Sequence, residues 1–128
     1  MKQLVQFIQE KLQIKKDSKV KPGRDNWTIE TAKNGDIIHW NNTGLYFIYK
    51  CLNDKRRYSE ANIDAVVYHV AGNIETNKVY LGPDTGVGSY KNPELFELAT
   101  DEEVEKFLKF LNDQGYKWND KKLALLKI

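Results

Sequence analysis

At 128 residues and 14.9 kDa, with 41% hydrophobic and 30% charged residues, the chain is long enough for one compact domain and too short for two sizeable cores. Its composition excludes a disordered segment, a collagen-like repeat and a disulfide scaffold, and a formal charge of +2 excludes the strong basic field of a dedicated nucleic-acid binder. The lone cysteine, Cys51, cannot form an internal disulfide and sits in an apolar run, so it reads as a small buried hydrophobe in a reducing compartment. No stretch approaches the roughly 18 apolar residues of a membrane span, and the first residues lack the continuous apolar run of a secretory signal. The expectation is a non-secreted protein with no membrane partner.

Charge is uneven along the chain: residues 1–24 carry seven basic groups against Glu10 and Asp17, a local +5, which leaves −3 for the remainder. Leu4, Ile8 and Leu12 recur every four residues with Val5 beside them, while Gln3, Gln6, Gln9 and Lys11 fall on the other face. This spacing predicts an amphipathic helix over residues 1–18, too short to be stable alone, with Leu4, Val5, Ile8 and Leu12 as its docking side chains. Residues 19–26 combine Pro22, Gly23 and dense charge and read as a linker, so residues 27–128 form the domain proper.

From Trp27 to Leu98 the helical period gives way to short β-branched and aromatic runs separated by turn residues, the pattern of an antiparallel meander. Thr28 to Lys33 reads as a first strand, Asn34-Gly35 as a type I′ hairpin turn and Asp36 to Trp40 as the returning strand. Asn41 to Gly44 make a second turn. Leu45 to Cys51 alternate into a core face and a mixed face, and Val66 to Val70, Val79 to Leu81 and Leu95 to Leu98 are further strands. Closing five or six such strands into a small antiparallel β-barrel, SH3-like or similar, removes exposed edges. The fold class expected is therefore α+β, a small barrel between an N-terminal amphipathic helix and a C-terminal helix with a short hairpin.

The C-terminal helix has the clearest local signature. Thr100 and Glu103 stand three apart as a capping box, Asp101, Glu102 and Glu103 suit the positive end of the helix dipole, and Gly115 suits a left-handed stop. Val104, Phe107, Leu108 and Leu111 make its apolar face, expected to cover the barrel. Tyr116 to Trp118 and Leu123 to Ile128 read as a terminal hairpin around a polar turn.

The inventory for catalysis is thin. His39 and His69 lie thirty positions apart with no nearby Cys or His, so no metal site is expected, and both read as structural or surface residues. Gly86 to Lys91 matches neither a nucleophile elbow nor a phosphate loop. No catalytic residue and no cofactor is expected, and the chain reads as a non-enzyme. Two long connections, Asn53 to Asp64 and Gly82 to Glu94, are where function would reside. The first carries Lys55-Arg56-Arg57-Tyr58, basic groups beside an aromatic ring. With Trp40, Tyr46 and Lys50 on one sheet face, these seven residues define a candidate single-stranded nucleic-acid surface.

Met1-Lys2-Gln3-Leu4-Val5-Gln6-Phe7-Ile8-Gln9-Glu10 resembles the leader that targets internal head proteins of some tailed bacteriophages into the assembling capsid. In that family a maturation protease cuts after an aliphatic-x-Glu tripeptide, which Ile8, Gln9 and Glu10 match. Three further stretches look like small uncharacterised proteins of gut bacteria, their phages and mobile elements: Asn34-Gly35-Asp36-Ile37-Ile38, Gly44-Leu45-Tyr46-Phe47-Ile48, and Leu98 to Glu103 through Gly115 to Asn119. The resemblance implies a phage or mobile-element accessory protein in the host cytoplasm or virion interior, acting through a virion or host protein partner. The alternatives are a single-stranded nucleic-acid-binding barrel and a host-interaction or counter-defence protein.

Overall fold

The computed structural model describes residues 27–61, 63–85 and 88–128. The expected helix over residues 1–18, the linker over residues 19–26, the docking side chains Leu4, Val5, Ile8 and Leu12, and the processing tripeptide Ile8, Gln9 and Glu10 lie outside the described residues.

Residues 28–33, expected as the first strand, instead contain one turn of 3-10 helix, Ile29–Thr31. Two threonines make the difference. The Thr28 N–H donates to Thr31 Oγ1 at 3.0 Å and Thr31 Oγ1 donates to the Thr28 carbonyl at 2.9 Å, local bonds that compete with a strand ladder. Ile29 is meanwhile fully buried. Asn34-Gly35 still turns tightly, closed by the Asp36 N–H on the Lys33 carbonyl at 2.8 Å, but among the described residues no strand precedes it.

Four strands then form a meander: β1 (Ile37–Trp40), β2 (Leu45–Leu52), β3 (Val66–Asn73) and β4 (Lys78–Asp84). A fifth, β5 (Phe96–Leu98), returns to pair with the free side of β1, giving the antiparallel order β4-β3-β2-β1-β5. Helix α1 (Asp101–Asp113) follows directly, and β6 (Tyr116–Asn119) and β7 (Ala124–Lys127) make a separate hairpin. The protein is thus a mostly antiparallel α+β fold of seven strands and one α-helix among the described residues.

The five-stranded sheet is open, and this corrects the expected barrel: β4 and β5 stand at opposite edges and do not pair with each other. The reason lies in the strand alternation. A barrel has one inner face, but here both faces of the sheet are apolar and each builds a buried cluster. Ile38, Phe47, Tyr49, Val66, Tyr68, Ala71 and Phe96 form one cluster with Ile29 of the 3-10 turn. Ile37, Tyr46, Ile48 and Val70 form the other with Ala99, Phe107 and Leu111. The second side of β2, expected to be mixed, is therefore a second core, and an amphipathic helix lies on it.

That helix is set as its sequence signals require. The Glu103 N–H donates to Thr100 Oγ1 at 3.1 Å and Glu103 Oε1 accepts from the Thr100 N–H at 2.9 Å, so the capping box is closed. Phe107 and Leu111 are fully buried, Val104 and Leu108 pack around them, and Gly115 adopts φ +94° just past the helix end. Burying Phe107 and Leu111 contributes about 1.5–3 kcal/mol each before chain entropy is counted.

One irregularity redirects side chains. Between Tyr68 and Val70 the pairing of β3 slips against both β2 and β4. Tyr68 belongs to the first cluster and Val70 to the second, while the intervening His69 lies against Trp118 of β6, ring centroids 5.0 Å apart. Gly82 lies in the slipped part of β4, and a Cβ there would collide with the Tyr68 carbonyl oxygen, so no other residue fits without moving the backbone.

Candidate functional site

The structure separates the seven residues expected to form a nucleic-acid surface. Trp40 pairs across the ladder with Phe96 and packs into the first cluster, whereas Tyr46 is buried in the second, on the opposite face. The expected single face holding Trp40, Tyr46 and Lys50 is thus corrected: strand alternation sends Trp40 one way and Tyr46, opposite His39, the other. Lys50 lies near His69, where burial and then the Lys50 charge lower the imidazole pKa.

The remaining four sit on the loop between β2 and β3, which is built around a buried amide. Asn53 is fully buried, its Nδ2 donates to the Ser59 carbonyl at 2.7 Å and its Oδ1 accepts from the Tyr58 N–H at 2.9 Å. Arg56 takes a positive φ of 54° and pairs with Glu60 at 3.5 Å, an exposed ion pair of little energetic weight. Lys55 and Arg57 are exposed and Tyr58 is half-buried beside Cys51, which is half-buried rather than enclosed. The loop is therefore an ordered projection carrying charge at its tip, well separated in the fold from Trp40 and Tyr46.

A different surface concentrates exposed apolar area. Strand β4 is an edge, and among the described residues nothing pairs with its outer side. Tyr80 and Leu81 follow each other there, 44% and 54% exposed, and their ladder partners Ala71 and Val70 belong to opposite clusters, so the two side chains flank the edge from either face. On the Tyr80 side a mostly apolar recess of about 540 Å³ runs inward over Trp40, Leu45, Tyr68 and Ala71, with Thr43, Asn73 and Asp84 on its rim. Burial, and then the neighbouring Asp84 carboxylate and Tyr80, push the Tyr68 hydroxyl pKa up. The neutral phenol is thus the form this wall presents. Lys78 at one end of β4 and Pro83 near the other guard the strand, leaving Val79 to Gly82 as the accessible stretch.

The opposite face carries a cluster of polar side chains. In the ladders His39 of β1 stands between Tyr46 of β2 and Glu97 of β5. The Tyr46 ring stacks on the imidazole at 4.4 Å and 13°, His39 Nδ1 lies 2.9 Å from Glu97 Oε2, and His39 Nε2 donates to the Thr43 carbonyl at 2.7 Å. Glu103, brought in by α1, lies 3.7 Å from His39 Nδ1 and accepts from the Tyr46 hydroxyl at 3.0 Å. Burial and then this bond to Glu103 push the Tyr46 hydroxyl pKa well up. For Glu103 burial raises the carboxyl pKa, but the Thr100 backbone amide, the Tyr46 hydroxyl and His39 outweigh it, and the net shift is downward. A groove of about 570 Å³, lined by His39, Tyr46, Gly44, Ile74, Lys106 and Phe110 among others, borders the cluster.

No protein-family model, no curated protein and no solved structure matches this chain. The surfaces just described were missed by sequence reasoning in different ways. Val79-Tyr80-Leu81 carried a usable signal, three apolar residues in a row bounded by Lys78 and by Gly82-Pro83. Glu97 and Glu103 carried none beside His39, because 58 and 64 positions separate them and only the return of β5 to β1 unites them.

Proposed function

We propose that this is a non-enzymatic binding protein that docks an extended segment of a protein partner along the edge of β4. The observation that carries the reading is the exposure of Tyr80 and Leu81 on either side of an edge strand that borders a mostly apolar recess. A segment added beside Val79 to Gly82 gains main-chain hydrogen bonds from the edge, and its alternate side chains meet Tyr80 and the recess on one face and Leu81 on the other. The resemblance of residues 1–10 to a capsid-targeting leader supplies the setting, a phage or mobile-element accessory protein with a virion or host component as partner. Finding the protein by mass spectrometry in purified particles supports the virion setting, and its absence from them removes it.

Panning a random peptide library on the purified full-length chain, followed by amide hydrogen exchange with an enriched peptide, tests the docking mode. The expected result is enrichment of peptides with aromatic or aliphatic side chains, protection concentrated at Val79 to Gly82, and at least about tenfold weaker binding to Tyr80→Ala, a loss of about 1.4 kcal/mol. Leu126→Ala, at an exposed site on the separate hairpin, leaves binding unchanged. No enrichment, or protection confined to the Lys55 to Tyr58 loop, overturns the reading. Protection of β4 that rises with protein concentration alone assigns the edge to a second copy instead.

A further inference from the structure

The cluster on the face opposite the recess brings an imidazole and two carboxylates together. We propose that His39 Nδ1, Glu97 Oε2 and Glu103 Oε2 form a site for a divalent transition-metal ion of the zinc, cobalt and nickel class. The three ligand atoms all lie within 4.8 Å of one another, His39 Nδ1 being 2.9 Å from the first carboxylate and 3.7 Å from the second. Zinc–nitrogen and zinc–oxygen bonds of about 2.0–2.2 Å place tetrahedral ligand atoms roughly 3.3–3.6 Å apart, so only small side-chain movements separate this arrangement from a coordinated ion. The ligands come from three separate elements, β1, β5 and α1, which fixes their spacing through the tertiary fold rather than through one flexible loop.

What distinguishes the cluster from a chance gathering of acids is that two of its three ligands, His39 and Glu103, are oriented from outside it. The Thr43 carbonyl accepts from His39 Nε2, which leaves Nδ1 as the nitrogen turned toward the carboxylates. A backbone carbonyl on the far ring nitrogen is the usual way a metal-binding histidine is held. Tyr46 stacks on the same ring and also donates to Glu103 Oε2, while the Thr100 N–H holds Glu103 Oε1. Glu97 is half-exposed, with a side-chain exposure of 52%, so it has the freedom to close the last gap as an ion enters. Imidazole with two carboxylates suits zinc, cobalt and nickel, whereas magnesium and calcium prefer all-oxygen sites. A three-residue set also leaves positions for water or for a group in the neighbouring groove.

The test uses the untagged full-length chain, titrated with Co²⁺ and followed by its visible ligand-field absorption, then with Zn²⁺ by calorimetry. The expected result is one equivalent of Co²⁺, displaced by Zn²⁺. Binding weakens roughly tenfold or more in Glu97→Gln, whose exposed side chain is not needed for folding, and in His39→Gln, and by about tenfold in Tyr46→Phe, which removes only the orienting hydroxyl. His69→Gln, which changes the only other histidine, keeps full binding. Circular dichroism of each variant confirms that the fold is intact. Failure of the folded wild type to bind either ion, or Co²⁺ binding unchanged in Glu97→Gln and His39→Gln, overturns the assignment and leaves a structural ion pair.

Discussion

Gly72→Ala tests how α1 is seated on the sheet. Gly72 is buried in β3, and a Cβ built there lies 2.7 and 3.3 Å from the Phe110 ring and 3.1 Å from Phe107. Its φ is not in the left-handed region, so alanine brings no backbone strain and by itself gains about 0.5–1 kcal/mol over glycine in a strand interior. Overpacking against the two rings costs about 1–3 kcal/mol, leaving a net loss of about 1 kcal/mol. Phe107 is fully buried and has nowhere to go, whereas Phe110 borders the groove and carries two of the three close approaches. Removing the Phe110 ring therefore removes most of the clash. Urea unfolding of the wild type, Gly72→Ala, Phe110→Ala and the double variant closes a cycle. The expected result is a double variant more stable than the sum of the singles by at least about 1 kcal/mol. Singles that add within about 0.5 kcal/mol show that the rings do not press on Gly72, and the seating of the helix argued above is then wrong.

Two further outcomes are expected. Asn53→Ala strips the partners of the Ser59 carbonyl and the Tyr58 N–H and costs about 2–3 kcal/mol, with exchange of the Tyr58 amide accelerating well beyond that of the β2 amides; equal acceleration of both refutes a local role. Burial and then Lys50 lower the His69 pKa from its ordinary 6.5, while Asn34 Oδ1 lies 2.7 Å from Nε2 and the Trp118 ring covers the imidazole. The unfolded chain takes up the proton first, so this contribution is complete above pH 6.5, declines as the pH falls from there to the depressed folded value, and is level below it. Chemical denaturation from pH 8 to 5 measures the decline, which His69→Gln flattens; an unchanged slope in that variant contradicts the assignment.

The elements whose signals are local were legible in the sequence. Thr100 and Glu103 announced the helix start and Gly115 its end, because capping depends on residues three apart and on a single left-handed position. The alternation at Leu45 to Cys51 located β2, and the run from Tyr116 located the hairpin. Thr28 to Lys33 misled because threonines, which favour strands, also carry hydroxyls able to bond the nearby backbone, as Thr31 does to Thr28, and the choice is made by whether Ile29 has a core to enter. Closure into a barrel was also beyond local reading. It turns on whether the second side of β2 meets water or another layer, and Tyr46 and Ile48 meet α1.

The candidate sites divide along the same line, for a reason of geometry. A docking edge is made by one strand, so its ingredients are contiguous: Lys78, Val79, Tyr80, Leu81, Gly82 and Pro83 already contain the apolar centre and its guarded ends. What the sequence lacks is only the knowledge that β4 is the outermost strand. A row across a sheet is the opposite case. His39, Tyr46 and Glu97 are neighbours because ladder bonds set their strands side by side, and Glu103 joins them because β5 runs into α1 with only Ala99 and Thr100 between. Shifting β5 by one residue against β1 would turn Glu97 to the other face and replace it with an apolar neighbour, Phe96 or Leu98. The polar cluster thus depends on the pairing register itself, and that register is held by Trp40 against Phe96 and Ile38 against Leu98. A substitution that loosens this short strand would disperse the cluster without touching any of its members.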